Sequence, residues 1–127
     1  MSQQTAIPCV LMRGGTSKAP YFKKADLPAD ENARNAVLLA AMGSPDPMKI
    51  DGIGGAQAVT SKVAIVSPSP CEGVDVDYLF AQVSLNSEIV DTEPSCGNVL
   101  SGVGPFAIDE GMVQACDGQT LVKIRNL

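Results

Sequence analysis

Cys96 stands in Ser95-Cys96-Gly97-Asn98, ahead of a segment in which Val99, Leu100, Val103, Phe106, Ala107 and Ile108 are apolar. A helix starting there would offer Cys96 free N–H groups and the positive end of its dipole, and both favour a thiolate or a bound anion. The alternative is a small buried residue, the usual condition of a free cysteine. Lys62 follows Thr60-Ser61 and precedes the apolar run Val63-Ala64-Ile65-Val66. Turned into a partly desolvated site, such a lysine becomes a usable proton acceptor; turned outward, it is a solvated lysine at the start of a strand. Arg13-Gly14-Gly15-Thr16-Ser17-Lys18 gathers two cations, two hydroxyls and two glycines. A loop of that kind can hold a carboxylate with a guanidinium fork and backbone N–H groups.

The chain has no histidine, which removes Ser-His-Asp and Cys-His catalysis and most zinc sites. Proton chemistry must therefore use Asp, Glu, Lys, Cys or Tyr. The cysteines Cys9, Cys71, Cys96 and Cys116 form no C-x-x-C pair, so no metal site is expected and the thiols are expected free. Cys9, inside an apolar stretch, is expected in the core. Lys18 precedes Ala19 rather than Ser or Thr, so the first glycine loop is not a P-loop. Gly52-Ile53-Gly54-Gly55-Ala56-Gln57 imitates a dinucleotide fingerprint but carries Gln57 at the third glycine; a structural turn or a loop near the substrate fits it better. Asp46, Asp51, Asp75, Asp77 and Asp91 are read as solvated surface. The net charge of −5 argues against nucleic acid. No apolar run approaches the roughly 20 residues of a membrane span. The stretch 1–5 lacks the basic and apolar regions of a signal peptide, and a cytoplasmic protein is expected.

Residues 7–13 read as a strand ending in a glycine turn, with Tyr21-Phe22 resuming the sheet. Asp30 caps a helix over 31–42 whose apolar face is Val37, Leu38, Ala41 and Met42. Gly43 fits its C′ position, and Pro45 and Pro47 prevent continuation. A strand follows at 63–66, then a Pro/Ser loop over 67–73. A hairpin around Asn86-Ser87 joins 77–84 to 89–91. The segment from Cys96 to about Glu110 reads as one helix, apolar all round and therefore buried, although Gly102, Gly104 and Pro105 are poor helix formers. Residues 120–127 alternate like a strand, and the ending at Leu127 reads as an unfinished one, hence a fragment.

In combination these motifs resemble the family of 4-oxalomesaconate tautomerases and 2-methylaconitate cis-trans isomerases, which share the fold of diaminopimelate epimerase. The stretches that carry the likeness are Ile7-Pro8-Cys9-Val10-Leu11-Met12-Arg13-Gly14-Gly15-Thr16-Ser17-Lys18, Met42-Gly43-Ser44-Pro45-Asp46, Ile50-Asp51-Gly52-Ile53-Gly54-Gly55, Thr60-Ser61-Lys62-Val63-Ala64, Asp75-Val76-Asp77-Tyr78-Leu79-Phe80-Ala81-Gln82-Val83, and Cys96-Gly97-Asn98 with Gly102-Val103-Gly104-Pro105-Phe106-Ala107-Ile108. Two features depart from the family. Ala19-Pro20 follows the first Thr-Ser-Lys where a glycine is usual, and family members are more than twice this length.

The resemblance implies an α+β fold, a curved and mostly antiparallel sheet wrapped around a buried central helix. It implies that 1–127 is the N-terminal domain, incomplete, of a two-domain isomerase whose second domain closes the site. It implies Lys62 and Cys96 as the acid/base residues, with Arg13, Ser17, Thr60, Ser61, Gly97 and Asn98 binding a small anionic polycarboxylate. No metal or other cofactor, nucleic acid or membrane is called for. The reaction implied is a 1,3-proton shift on an unsaturated polycarboxylate such as 4-oxalomesaconate. The alternatives are a 2-methylaconitate cis-trans isomerase and an inactive fragment that keeps a carboxylate pocket. A homodimer could imitate the second half, since the two halves are alike.

Overall fold

The structure, a computed structural model, describes residues 4–127; residues 1–3 of the stretch read above for a signal peptide lie outside it. Among the described residues six strands form one mixed sheet in the order β1 (Val10–Gly14), β2 (Ser17–Lys23), β3 (Lys62–Pro68), β4 (Val76–Val83) and β5 (Val90–Asp91), with β6 (Ile124–Asn126) also on β4. Pairs β1–β2, β3–β4 and β4–β5 are antiparallel, while β2–β3 and β4–β6 are parallel. The fold is the expected α+β class with antiparallel pairing in the majority.

A parallel neighbour requires a crossover, and α1 (Glu31–Met42) lies in the connection from β2 to β3. Its bounds are those that the sequence signals. The Asp30 carboxylate accepts from the Ala33 N–H at 2.8 Å, and Gly43, at φ 78°, takes the left-handed conformation that ends the helix. Leu38 and Met42 are buried, with Val37 and Ala41 packed beside them. The glycine motif at 52–55 is a structural turn against this helix end. A Cβ on Gly52 would lie 2.2 Å from the Gly43 nitrogen and 2.3 Å from the Met42 carbonyl carbon, so only glycine permits that backbone approach.

Alternation along the strands divides the core into two layers. Val63, Ile65, Ala81 and Val83 pack with α1. Ala19, Tyr21, Ala64, Val66, Val76, Tyr78 and Phe80 pack on the other face, against α2 (Gly97–Leu100) and α3 (Val103–Asp109). The central strands β3 and β4 are covered on both faces, which explains why Val63-Ala64-Ile65-Val66 is a continuous apolar run.

Four expectations are corrected. The single helix after Cys96 is two short ones, with Ser101 and Gly102 in the turn between them; the phenol of Tyr21 fills the space where a Gly102 side chain would stand. That pair of helices buries Val99, Val103, Phe106 and Ala107, yet Pro105 and Asp109 are exposed, so it is not buried all round. Cys9 is exposed, because strand pairing begins at Val10 and β1 forms the edge of the sheet. Asp77 is not solvated surface: it is 6 % exposed and accepts both Nε (2.9 Å) and Nη2 (2.6 Å) of Arg125. Those paired hydrogen bonds hold its carboxyl below the usual range against burial, which acts the other way; the Ser69 hydroxyl and the charges of Arg125 and Lys24 assist. This bidentate clasp fastens β6 to β4 over a separation of 48 residues.

Candidate active site

Lys62 opens β3, and its parity places it on the face with Ala64 and Val66, toward α2. Ser17 opens β2 on the same face as Ala19 and Tyr21. Cys96 is the N-cap residue of α2 and is 9 % exposed. The three side chains meet: Lys62 Nζ donates to Cys96 Sγ at 3.3 Å and to Ser17 Oγ at 3.1 Å. Beneath them the ring of buried Phe80 lies 6.0 Å from Nζ. The site has an aromatic floor and an amino group facing a thiol.

Burial works to raise the Cys96 thiol, but it is outweighed. The backbone N–H of Val99, the Lys62 ammonium through hydrogen bond and charge, and the N–H of Asn98 together hold the thiol below its ordinary value. The side chain makes no capping hydrogen bond of ordinary geometry. The arrangement favours the thiolate form of Cys96.

The glycine loop after β1 is latched to the same turn. Gly15 adopts φ 55°, the left-handed conformation of a two-residue hairpin turn. Asn98 Nδ2 donates to Thr16 Oγ1 at 3.0 Å, and a Cβ on Gly15 would meet Asn98 Oδ1 at 2.3 Å. Arg13 is exposed and donates from Nε to the Gly15 carbonyl at 2.7 Å, while Lys18 is also exposed. Gly97 has open space on its Cα, with nothing within 4 Å of an added Cβ.

The structure thus brings together Lys62, Cys96 and Ser17, and sets the Arg13 loop, Gly97 and Asn98 at their rim. It does not bring Thr60 and Ser61 into the pair's contacts. Thr60 Oγ1 donates to the Gln57 carbonyl at 3.0 Å, and buried Ser61 Oγ donates to the Val83 carbonyl at 2.7 Å. Both hydroxyls brace the turn that presents Lys62, as does Gln82, opposite it in the ladder, whose amide donates to the Ala58 and Ser61 carbonyls. Sequence reasoning missed Tyr21, Tyr78 and Phe80 as neighbours of the site; their signal was the shared parity with Ser17 and Lys62 along paired strands.

Two grooves lie elsewhere, one between Lys23, Pro68, Asp77 and Arg125, another between Ile7, Phe22, Val37 and Ile53. Neither includes Lys62 or Cys96. Among the described residues no group of three or more His, Cys, Asp or Glu is placed to hold a metal ion, and no helix is long and apolar enough to cross a membrane.

Comparison with known proteins gives consistent relatives. A family model described as PrpF protein matches residues 4–127. The chain is 61% identical over 117 residues to a (4E)-oxalomesaconate Delta-isomerase of Novosphingobium sp. (strain KA1), covering 92% of this chain and 33% of that protein. It is 53% identical over 126 residues to a 3-methylitaconate isomerase of Eubacterium barkeri, covering 99% of this chain and 33% of that protein. A crystal structure of methylitaconate-delta-isomerase superposes with a TM-score of 0.96 at 52% identity, covering 99% of this chain and 33% of that one. The chain therefore spans about a third of the length of the curated relatives it matches.

Proposed function

The chain belongs to the PrpF protein family, and from that membership we propose that it forms the N-terminal domain of a two-domain cytoplasmic isomerase and carries that enzyme's acid/base pair. The reaction is a 1,3-proton shift on a small unsaturated polycarboxylate of the oxalomesaconate kind, without metal or organic cofactor. The observation that carries this reading is the 3.3 Å contact between Lys62 Nζ and Cys96 Sγ.

A proton on the carbon beside a conjugated, carboxylate-bearing double bond is acidified because the resulting charge delocalises. Lys62, as the free amine, takes that proton. The electron pair moves through the conjugated system to give a dienolate, and the Cys96 thiol returns a proton at the far carbon. The double bond has moved by one position, and the pair is left as ammonium and thiolate. Transfer of one proton from Nζ to Sγ across the contact resets it. In the reverse direction the thiolate is the base and the ammonium the acid, so the two forms of one pair serve both directions. Arg13, Ser17 and the N–H groups of Gly97 and Asn98 hold carboxylates, while the hydroxyls of Thr60 and Ser61 contribute by bracing the turn before Lys62. Bases of this kind contribute about 10²–10⁴-fold when well placed.

The test is incubation of the chain in D₂O with oxalomesaconate, methylitaconate and methylaconitate in turn, followed by NMR. Deuterium should enter one of these acids at both ends of the allylic system faster than in buffer. No exchange and no binding with any of the three would contradict the proposal. A second reading, a fragment that binds the carboxylates but turns nothing over, is favoured by the exposure of Gly97 and Asn98. Binding without exchange is its signature, and restoration of exchange on self-association would identify a second copy as the missing wall.

A further inference from the structure

Two buried phenols bear on the turn that carries Cys96. Tyr21 of β2 and Tyr78 of β4 are both fully buried. Tyr21 donates to the Val99 carbonyl at 2.5 Å, and Tyr78 donates to the Cys96 carbonyl at 3.4 Å. Each of these carbonyls already takes a helical N–H, that of Gly102 and that of Leu100 respectively, both at 3.0 Å. The phenols therefore occupy second acceptor sites, at the two ends of the turn from Cys96 to Val99. A carbonyl needs no second donor to be satisfied, so the contacts add direction and not merely satisfaction.

The slot around the Tyr21 hydroxyl is made by two glycines. A Cβ on Gly102 would stand 2.3 Å from that oxygen, and one on Gly14 would stand 2.7 Å from it and 2.5 Å from the Asn98 carbonyl. Hairpin, strand and helical turn are thus brought to backbone contact around one hydroxyl. The ring itself packs on Phe106 with centroids 5.7 Å apart. A phenylalanine would fill the same volume; only the hydroxyl reaches the backbone of the turn.

Resting on the acid/base reading of the Lys62–Cys96 pair, we propose that Tyr21 and Tyr78 are positioning residues, which hold the Cys96 turn against the sheet at the height where Sγ meets Lys62 Nζ. Lys62 comes from β3, which lies between the two tyrosine-bearing strands. The sheet sets the ammonium, and the phenols on either side set the sulfur. The charged and titratable groups facing Cys96 are Lys62, Tyr21 and Tyr78. Burial first, and then negative charge on Cys96, raise both phenols, Tyr21 to about 12 with the two causes together; they remain protonated donors across the range in which the thiol titrates.

The test uses the chain with Cys9, Cys71 and Cys116 replaced by Ser, and reads the rate of iodoacetamide alkylation of Cys96 against pH. Tyr21→Phe and Tyr78→Phe are each expected to shift the profile upward and to slow alkylation at pH 7 by about three- to tenfold. Val83→Ala, a core truncation on the opposite face of the sheet, is expected to lower stability without moving the profile. Tyr-to-Phe variants that fold and keep the parental profile would overturn the proposal, and either variant alone decides if the other does not fold. A profile that moves equally in Val83→Ala would also overturn it, since loosening of the fold would then suffice. A parental profile without a lowered midpoint would instead count against the acid/base reading itself.

Discussion

Lys62→Met is expected to reduce substrate deuterium exchange by about 10²–10⁴-fold while leaving the fold in place. The side chain opens a strand and is only partly buried, so its replacement by another unbranched chain leaves no large cavity. What is lost is chemical. On the proposed mechanism the proton acceptor goes, and with it the 3.3 Å contact from Nζ to Cys96 Sγ. The Ser17 hydroxyl, 2 % exposed, loses the donor at 3.1 Å, a stability cost of about 1 kcal/mol. Lys18→Met, in an exposed position of the same charge, should exchange at close to the parental rate. Cys96→Ala should be as damaging as Lys62→Met, and the double variant no worse than either, because residues acting as one unit are not additive. Near-parental exchange in Lys62→Met would remove it as the base.

Gly52→Ala is expected to destabilise the chain by at least about 3 kcal/mol, at the upper end of what overpacking costs. Two effects oppose each other. Alanine restricts the unfolded chain and would stabilise by about 0.4–1 kcal/mol where the site has room. Here the added carbon would fall 2.2 Å from the Gly43 nitrogen, 2.3 Å from the Met42 carbonyl carbon and 2.5 Å from the Gly43 Cα. These are backbone atoms, and they cannot swing aside. Gly43 is fixed by its own left-handed turn, Met42 is fully buried, and the Ile53 N–H is bonded to the Ala41 carbonyl at 2.8 Å. Relief would have to come from moving the end of α1. Gly97→Ala supplies the contrast, since nothing lies within 4 Å of its added carbon. Urea unfolding compares the two; a Gly52→Ala chain within 0.5 kcal/mol of the parent would show that this loop is not packed as described.

The sequence was most legible where the cause of structure is local. The bounds of α1 follow from the Asp30 cap and the Gly43 stop, both within a residue or two of the helix they terminate. The hairpin joining β4 to β5 and the turn between β1 and β2 follow from short polar and glycine signals. Lys62 and Cys96 were legible as a pair only through the family motif; as isolated residues each had a bland alternative, and nothing in the spacing of 34 positions says that their side chains touch. Non-local effects were not legible. Asp77 looks like any strand-end carboxylate until Arg125 arrives from 48 positions away. The apolar run after Cys96 reads as one helix because its pattern does not show the Tyr21 phenol wedged against Gly102. Thr60 and Ser61 neighbour Lys62 in sequence, yet the helical turn before β3 sends their hydroxyls to backbone carbonyls.

The central claim is that Lys62 and Cys96 form one proton-sharing unit, and the ionisation of Cys96 tests it most directly. With the other three cysteines replaced by Ser, the alkylation rate is followed from pH 5 to pH 10 in the parent and in Lys62→Met. A neighbouring cation favours the thiolate, so the parental midpoint should lie below the free-cysteine value of about 8.5, and loss of the ammonium should move it upward. A parental midpoint at or above about 8.5, unmoved by Lys62→Met, would contradict the account.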